Sequence, residues 1–181
     1  MKVIKIIVLM GPPGAGKTTL MKRFIAETGP YELDDSSIKL VPFLRRGQTF
    51  ILGKYDGDTY AQGTDRMSMA CQPAVVDWLK TLPPTSNVLL EGDRLANQSF
   101  LESCINSAYN LKVIYLEASP ELRASRRSDR GSDQSEQFLR GRDTKYATLL
   151  TNFGLMDSIE VTPNVNESDL TTTVARMIDL L

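Results

Sequence analysis

The residues with the most chemistry in this 181-residue chain stand in one run, Gly11-Pro12-Pro13-Gly14-Ala15-Gly16-Lys17-Thr18, followed by Thr19. The run satisfies G-x-x-x-x-G-K-[ST] at every fixed position. Glycines let successive backbone N–H groups converge on an anion, and a helix beginning there turns its positive dipole end to the same charge. Lys17 is spaced to reach the outer phosphates of a nucleoside triphosphate, and the Thr18 hydroxyl to ligate a bridging magnesium ion. A nucleoside triphosphate and Mg2+ are therefore the expected ligands. The motif carries this meaning only between a strand and a helix. Both flanks fit: Val3–Met10 is an apolar, β-branched run, and Thr19–Glu27 has helical apolar spacing before the Gly29-Pro30 stop.

Transfer of a phosphoryl group needs more than a phosphate cradle, and three further groups are candidates. The first is Glu91-Gly92-Asp93-Arg94, at the end of the apolar run Val88–Glu91. Asp93 is the favoured general base and Glu91 the favoured magnesium-side residue, although the two could be exchanged; Arg94 could clamp a phosphate. Asp34 and Asp35 are the alternative base. The second group is an arginine-rich stretch with Arg123, Arg126, Arg127 and Arg130 on one helical face, then Arg140, Arg142 and Lys145. Such a stretch could close over ATP and neutralise charge on the transferred group, with Arg126 and Arg130 the leading choices. An exposed helix kept soluble by charge is the plainer alternative, since Asp129, Asp133 and Glu136 are interleaved. The third group is the segment from Leu52 to Met69. There Tyr55 and Tyr60 could stack on a base, and Asp65 with Arg66 could hydrogen-bond its polar edge or its phosphate.

The elements that must hold these groups alternate between strand and helix. Ile38–Phe43 and Thr49–Lys54 are extended runs joined by Arg45-Arg46-Gly47, either a hairpin or one of them a parallel strand. Pro42 points to an edge for the first. Tyr55–Asp65 reads as a polar surface loop. A helix with Pro73 at its first position should run through Lys80 and stop at Pro83-Pro84. Further elements are a helix from about Ser99 to Ala108, a strand Leu111–Leu116, and a helical stretch from Pro120 to about Leu150 broken at Gly131-Ser132. A strand near Ile159–Val161 follows, then a terminal helix capped by Ser168 with Leu170, Val174, Met177, Ile178 and Leu181 inward. The alternation predicts an α/β fold: a three-layer αβα sandwich on a parallel sheet of about five strands, with ligands at the strands' carboxyl ends. One domain spanning 1–181 is expected, with an acceptor-binding insertion at about 44–72 and a lid at about 120–145.

Composition bounds the reading. Twenty-one basic and 22 acidic residues leave a net charge of −1, so the chain as a whole has no attraction for nucleic acid, and any such contact needs a local patch. There is no histidine, which removes the common zinc sites and every Ser-His or Cys-His arrangement. Cys71 and Cys104 lack metal-ligand spacing and read as reduced packing residues. No run is long enough to cross a membrane, and the expected compartment is the cytoplasm. A guanine-specific N-K-x-D signal is missing around Asn152, Asn164 and Asn166, which counts against a GTPase switch.

The Glu91–Arg94 group resembles the acidic-plus-arginine motif of thymidylate and deoxynucleoside kinases, and small polynucleotide-kinase-like enzymes place an aspartate where Asp34 and Asp35 stand. More closely, the phosphate loop, L-G-K-Y-D-G, G-T-D-R-M-S-M and L-L-E-G-D-R-L together resemble phage-encoded small kinases that phosphorylate hydroxymethyluracil in DNA during hypermodification. The resemblance covers roughly residues 1 to 145. It implies a P-loop, nucleotide-kinase-like fold, ATP and magnesium, and DNA containing hydroxymethyluracil as partner. In that frame Lys17 and Thr18 serve ATP and magnesium, Asp93 the acceptor hydroxyl, and Asp65 and Arg66 the target nucleotide. A kinase of a free nucleoside or nucleotide, and a nucleotide-binding switch without phosphoryl transfer, are the competing expectations.

Overall fold

The computed structural model describes residues 3–56 and 62–181. Strand β1 (Lys5–Met10) runs through the centre, and its side chains divide by the two-residue period of a strand. Ile6, Val8 and Met10 enter one apolar layer, and Ile7 and Leu9 the other. Both faces must therefore be covered. Helices α1 (Lys17–Thr28) and α6 (Glu167–Asp179) cover the Ile7 face with Leu20, Phe24, Val174 and Met177. Helices α2 (Cys71–Leu79), α3 (Gln98–Asn106) and the second half of α5 (Glu136–Leu150) cover the Ile6 face with Trp78, Phe100, Tyr146 and Leu149. This is the expected three-layer sandwich.

Among the described residues the sheet holds the expected five parallel strands and two antiparallel ones besides. Five are parallel: β4 (Thr49–Leu52), β5 (Asn87–Glu91), β1, β6 (Asn110–Glu117) and β7 (Ile159–Pro163), in that spatial order. Two antiparallel strands, β2 (Glu32–Asp34) and β3 (Phe43–Arg46), extend it beyond β4. Three-residue β2 is too short to register as a hydrophobic period. Thr49–Leu52 is at once a hairpin partner and a parallel strand. Arg45 and Arg46 are strand residues, paired with Phe50 and Thr49, and the turn falls on Gly47-Gln48. Pro42 precedes β3, which is the second strand in from the edge.

Several boundaries differ for local reasons. Helix α2 begins at Cys71, so Pro73 is its third residue, where an N–H still lacks an intrahelical partner. The helix stops at Leu79, before the prolines. The cap of α6 is Asn166, which forms a reciprocal capping box with Asp169 and displaces Ser168 from that role. Ile178 is partly exposed, one position off the buried stripe of Leu170, Val174 and Met177. The lid span divides into α4 (Pro120–Asp129), which buries no residue, and α5, whose far end is anchored in the core. Cys71 and Cys104 are buried free thiols. Among the described residues no helix is long and apolar enough to cross a membrane.

The hairpin is held to α2 by an aromatic group. Trp78 stacks on Phe43 at 5.3 Å between centroids and meets Phe50 edge-on at 5.4 Å. Replacing the indole would empty the junction between β3, β4 and α2. Trp78→Ala should cost about 3–5 kcal/mol of folding free energy, measured by urea unfolding; a loss under about 1 kcal/mol would mean the site collapses without a cavity.

Candidate active site

The parallel strands end on one edge, and the loops leaving β1 and β5 lie beside each other because those strands are neighbours. The phosphate loop leaves β1 and feeds α1. At Gly14, with φ +86°, a Cβ would stand 2.5 Å from the Arg123 carbonyl oxygen. The loop is braced from outside. The Asn164 amide donates to the Ala15 carbonyl at 2.7 Å, Arg127 donates to the Pro13 carbonyl at 3.1 Å, and Arg126 reaches the Gly14 carbonyl at 3.4 Å. These bonds consume the Pro13, Gly14 and Ala15 carbonyls, and the Ala15 N–H closes a turn onto the Pro12 carbonyl at 3.0 Å. Lys17 folds back onto the loop, donating to the Gly11 carbonyl at 2.6 Å and the Pro12 carbonyl at 3.4 Å.

Opposite the loop, three carboxylates converge on one polar cleft of about 100 Å³, which Lys17, Thr18 and Arg130 also line. Glu91 ends β5 and is 1% exposed. Its Oε1 accepts the Thr18 hydroxyl at 3.1 Å. Burial pushes its pKa up to about 7, against the pull of Lys17 and the Thr18 hydrogen bond. Asp93 is held quite differently. Lys145 donates to Oδ1 at 3.3 Å, the Tyr146 hydroxyl donates to the same oxygen, and Arg142 pairs with Oδ2 at 3.1 Å. Burial alone would raise Asp93, but these donors and Lys17 outweigh it and hold the carboxyl below its ordinary range. Lys145 is itself lowered by burial, an effect Asp93 partly offsets.

Asp65 is the third carboxylate, on a 3₁₀ turn (Thr64–Arg66). Its Oδ1 accepts the Asp93 backbone N–H at 2.7 Å. Burial and the nearby Asp93 charge raise its pKa. The end of the segment read as a surface loop is thus packed against β5: Gln62, Gly63 and Thr64 are buried, and the Thr64 hydroxyl donates to the Glu91 carbonyl at 2.8 Å. Gly63 makes this approach possible. A Cβ there, at φ +63°, would lie 2.4 Å from Glu91 Oε1.

The remaining sequence-derived candidates fall in different places. Arg130 lines both this cleft and the neighbouring cavity, and among the described residues it has no ion-pair partner. Arg94 donates to the Met67 carbonyl at 3.4 Å. Arg66 pairs with Asp56 on the outer side of its turn and does not line the cleft. The Tyr55 ring packs on the Ile7-side core and its hydroxyl donates to the Leu52 carbonyl at 3.3 Å; burial and the charges of Glu91 and Asp65 raise its pKa, but it does not line the cleft. Tyr60 lies outside the described residues. Asp34 caps the turn at Ser36 and Ser37, and Asp35 pairs with Lys54, in a separate depression beside Arg45.

A second cavity of about 420 Å³ adjoins the loop on the side of Thr19. Arg126 and Arg130 form one wall, and Asn164, Val165, Asn166 and Leu170 another, with Arg126 donating to the Val165 carbonyl at 3.2 Å. Sequence reasoning missed the Asn164–Leu170 wall. The available signal was positional: the loop after the last parallel strand opens on the ligand edge. The cavity falls in the size range of small-molecule sites and touches the phosphate loop at Gly14 and Gly16.

A metal between Thr18 and Glu91 is chemically suited. Both offer hard oxygen ligands, and a fully buried carboxylate gains from a cation. Among the described residues no cluster of three ligating side chains exists, so phosphate and water oxygens would complete the shell, the pattern usual for magnesium.

Fold and site together define a P-loop nucleotide-binding protein of the kinase type. The P-loop Nucleotide Kinase3 family model matches residues 2–162, and the chain belongs to that family; it is a kinase, a phosphotransferase. No curated protein sequence matches it. Deoxyadenosine kinase from M. mycoides, solved with bound dATP, is similar in fold: TM-score 0.51 and 16% identity, covering 96% of this chain and 97% of that one.

The Glu91 pKa has a measurable consequence. Between 4.5 and about 7 the folded protein holds a proton on Glu91 that the unfolded chain has released. Folded stability therefore falls as pH rises through that window. Asp65 acts in the same sense. Urea unfolding of the ligand-free protein from pH 5 to 8 should show this decline, and Glu91→Gln should flatten most of it. Parallel profiles for the two proteins would show that Glu91 is ionised throughout.

Proposed function

We propose that this kinase transfers the γ-phosphoryl group of ATP, with magnesium, to the hydroxymethyl oxygen of hydroxymethyluracil in DNA. The observation that carries the reading is the convergence of the resembling runs: Gly63 packs on Glu91, and Asp65 accepts the Asp93 N–H, beside Lys17 and Thr18. The phosphate loop, Asp65 and the Glu91–Asp93 strand end all line one cleft. Its small volume admits reacting groups, so the body of the acceptor lies at its mouth.

In the proposed reaction the loop N–H groups and Lys17 hold the triphosphate, Lys17 leaving the Gly11 carbonyl to do so. Magnesium, held by Thr18 and Glu91, would neutralise charge on the phosphate oxygens. The acceptor oxygen bonds to the γ-phosphorus, the bond to the β,γ-bridging oxygen breaks, and ADP departs. Arg130, at the junction of donor cavity and cleft, stabilises the charge on the transferred group. The hydroxyl proton passes to a carboxylate. Asp93 was the sequence-based choice, but its three donors make it a poor proton acceptor. We assign that role to Asp65, whose raised pKa and second oxygen suit it, and give Asp93 the part of fixing α5 and the Asp65 turn. The second reading is a free deoxynucleoside or nucleoside monophosphate acceptor, favoured by the family description and the deoxyadenosine kinase likeness.

The test is γ-labelled ATP with magnesium offered to hydroxymethyluracil-containing DNA, unmodified DNA, and a panel of free nucleosides and nucleotides. Label is expected on the modified DNA, and Lys17→Ala should reduce its appearance at least about a hundredfold. Label confined to free nucleosides or nucleotides would overturn the DNA reading in favour of the second.

The proton assignment has its own experiment. Asp65→Asn should lower kcat at least about a hundredfold and abolish the acidic limb of the pH–rate profile. Asp93→Asn should keep that limb. The reverse pattern would return the base to Asp93.

A further inference from the structure

The transfer cleft is polar almost throughout, which makes one of its residues anomalous. Phe138, in the first turn of α5, lines it together with Lys17, Asp65, Glu91 and Asp93. Among the described lining residues it is the only aromatic side chain. It is 36% exposed, although a ring of this size is ordinarily buried and α5 has a buried face of its own at Tyr146 and Leu149.

Its position is also held. The Arg142 guanidinium lies 4.7 Å from the ring centroid, and Arg142 Nε pairs with Asp93 Oδ2 at 3.1 Å. A chain of contacts thus runs from a carboxylate at the transfer site through a guanidinium to an aromatic face. Cation–π packing orients the ring without burying it. The neighbouring Ser135 cap, which accepts the Phe138 N–H at 3.2 Å, fixes the backbone beneath.

We propose that Phe138 is the stacking platform for the acceptor's nucleobase, and so sets the preference for a planar, base-bearing acceptor. This rests on the assignment of the cleft as the transfer site. A base laid on the open side of the ring sits at the cleft mouth, where the acceptor body must lie if only its reacting hydroxyl enters. It takes over the role expected of Tyr55, whose ring is committed to the core. Stacking tolerates every base, so Phe138 would bind the acceptor's plane while polar groups choose its edge.

Steady-state kinetics on hydroxymethyluracil DNA and on free nucleoside acceptors test this. Phe138→Ala should raise the acceptor KM about tenfold on whichever acceptor the wild-type enzyme uses. The ATP KM should change far less, and kcat should fall less than the acceptor KM rises. Phe138→Tyr should restore the acceptor KM. Phe138→Leu, which keeps apolar packing against Arg142 without a π face, should not. Phe138→Trp adds a direct readout: its fluorescence should be quenched by the acceptor and not by ATP, over the constant background of buried Trp78. Rescue by leucine, or an unchanged acceptor KM in Phe138→Ala, would overturn the inference while leaving the kinase reading intact. If the wild-type protein labels no base-bearing acceptor at all, the functional reading fails instead.

Discussion

A buried carboxylate meeting a hydroxyl is the contact on which the site is built. Glu91 ends β5 almost fully out of water, and the one described side-chain hydrogen bond to its carboxylate comes from Thr18, the last residue of the phosphate motif. A carboxylate in that position raises its pKa or finds a cation. The strand order makes the contact possible, because β5 lies directly beside β1. Everything else is arranged around it. Gly63 closes on the same carboxylate from the other side, and the Thr64 hydroxyl donates to the Glu91 carbonyl, so the phosphate loop and the Thr64–Arg66 turn share one fixed point.

The arginine-rich stretch behaves as two pieces with different duties. Helix α4 has no core of its own and rests on the phosphate loop through carbonyl contacts from Arg126 and Arg127. Helix α5 is anchored by Tyr146 and Leu149, yet spends Arg142, Lys145 and the Tyr146 hydroxyl on Asp93. A carboxylate with three donors serves as a tether between α5 and the strand end. This recasts the Asp93 and Asp65 pair: similar residues on one cleft, pushed in opposite directions by what surrounds them. Environments that separate the pKa values of neighbouring carboxylates are how acid–base roles are divided.

Legibility followed the range of the interactions. The phosphate loop, the alternation of strands and helices, and the break between α4 and α5 are written in adjacent residues and could be read directly. Helix starts were read less well, because Ser168 and Asn166 are both competent caps and only the Asp169 side chain decides between them. Strand β2 was missed because three residues carry no period. Arg45 and Arg46 look like turn residues, but they are exposed members of the paired strand β3.

The sequence by itself determined the phosphate cradle, since that function is built from consecutive backbone N–H groups whose geometry a local run of glycines sets. It also determined the layered α/β class, through the apolar periods of successive elements. Only the tertiary structure decided which carboxylate is tethered and which is open, that Asn164 braces Ala15, and that Phe138 rather than Tyr55 faces the cleft. Those outcomes depend on residues tens of positions apart meeting at one sheet edge. Side-chain charge, burial and exposure there are set by neighbours in space, which no local spacing of residue types records.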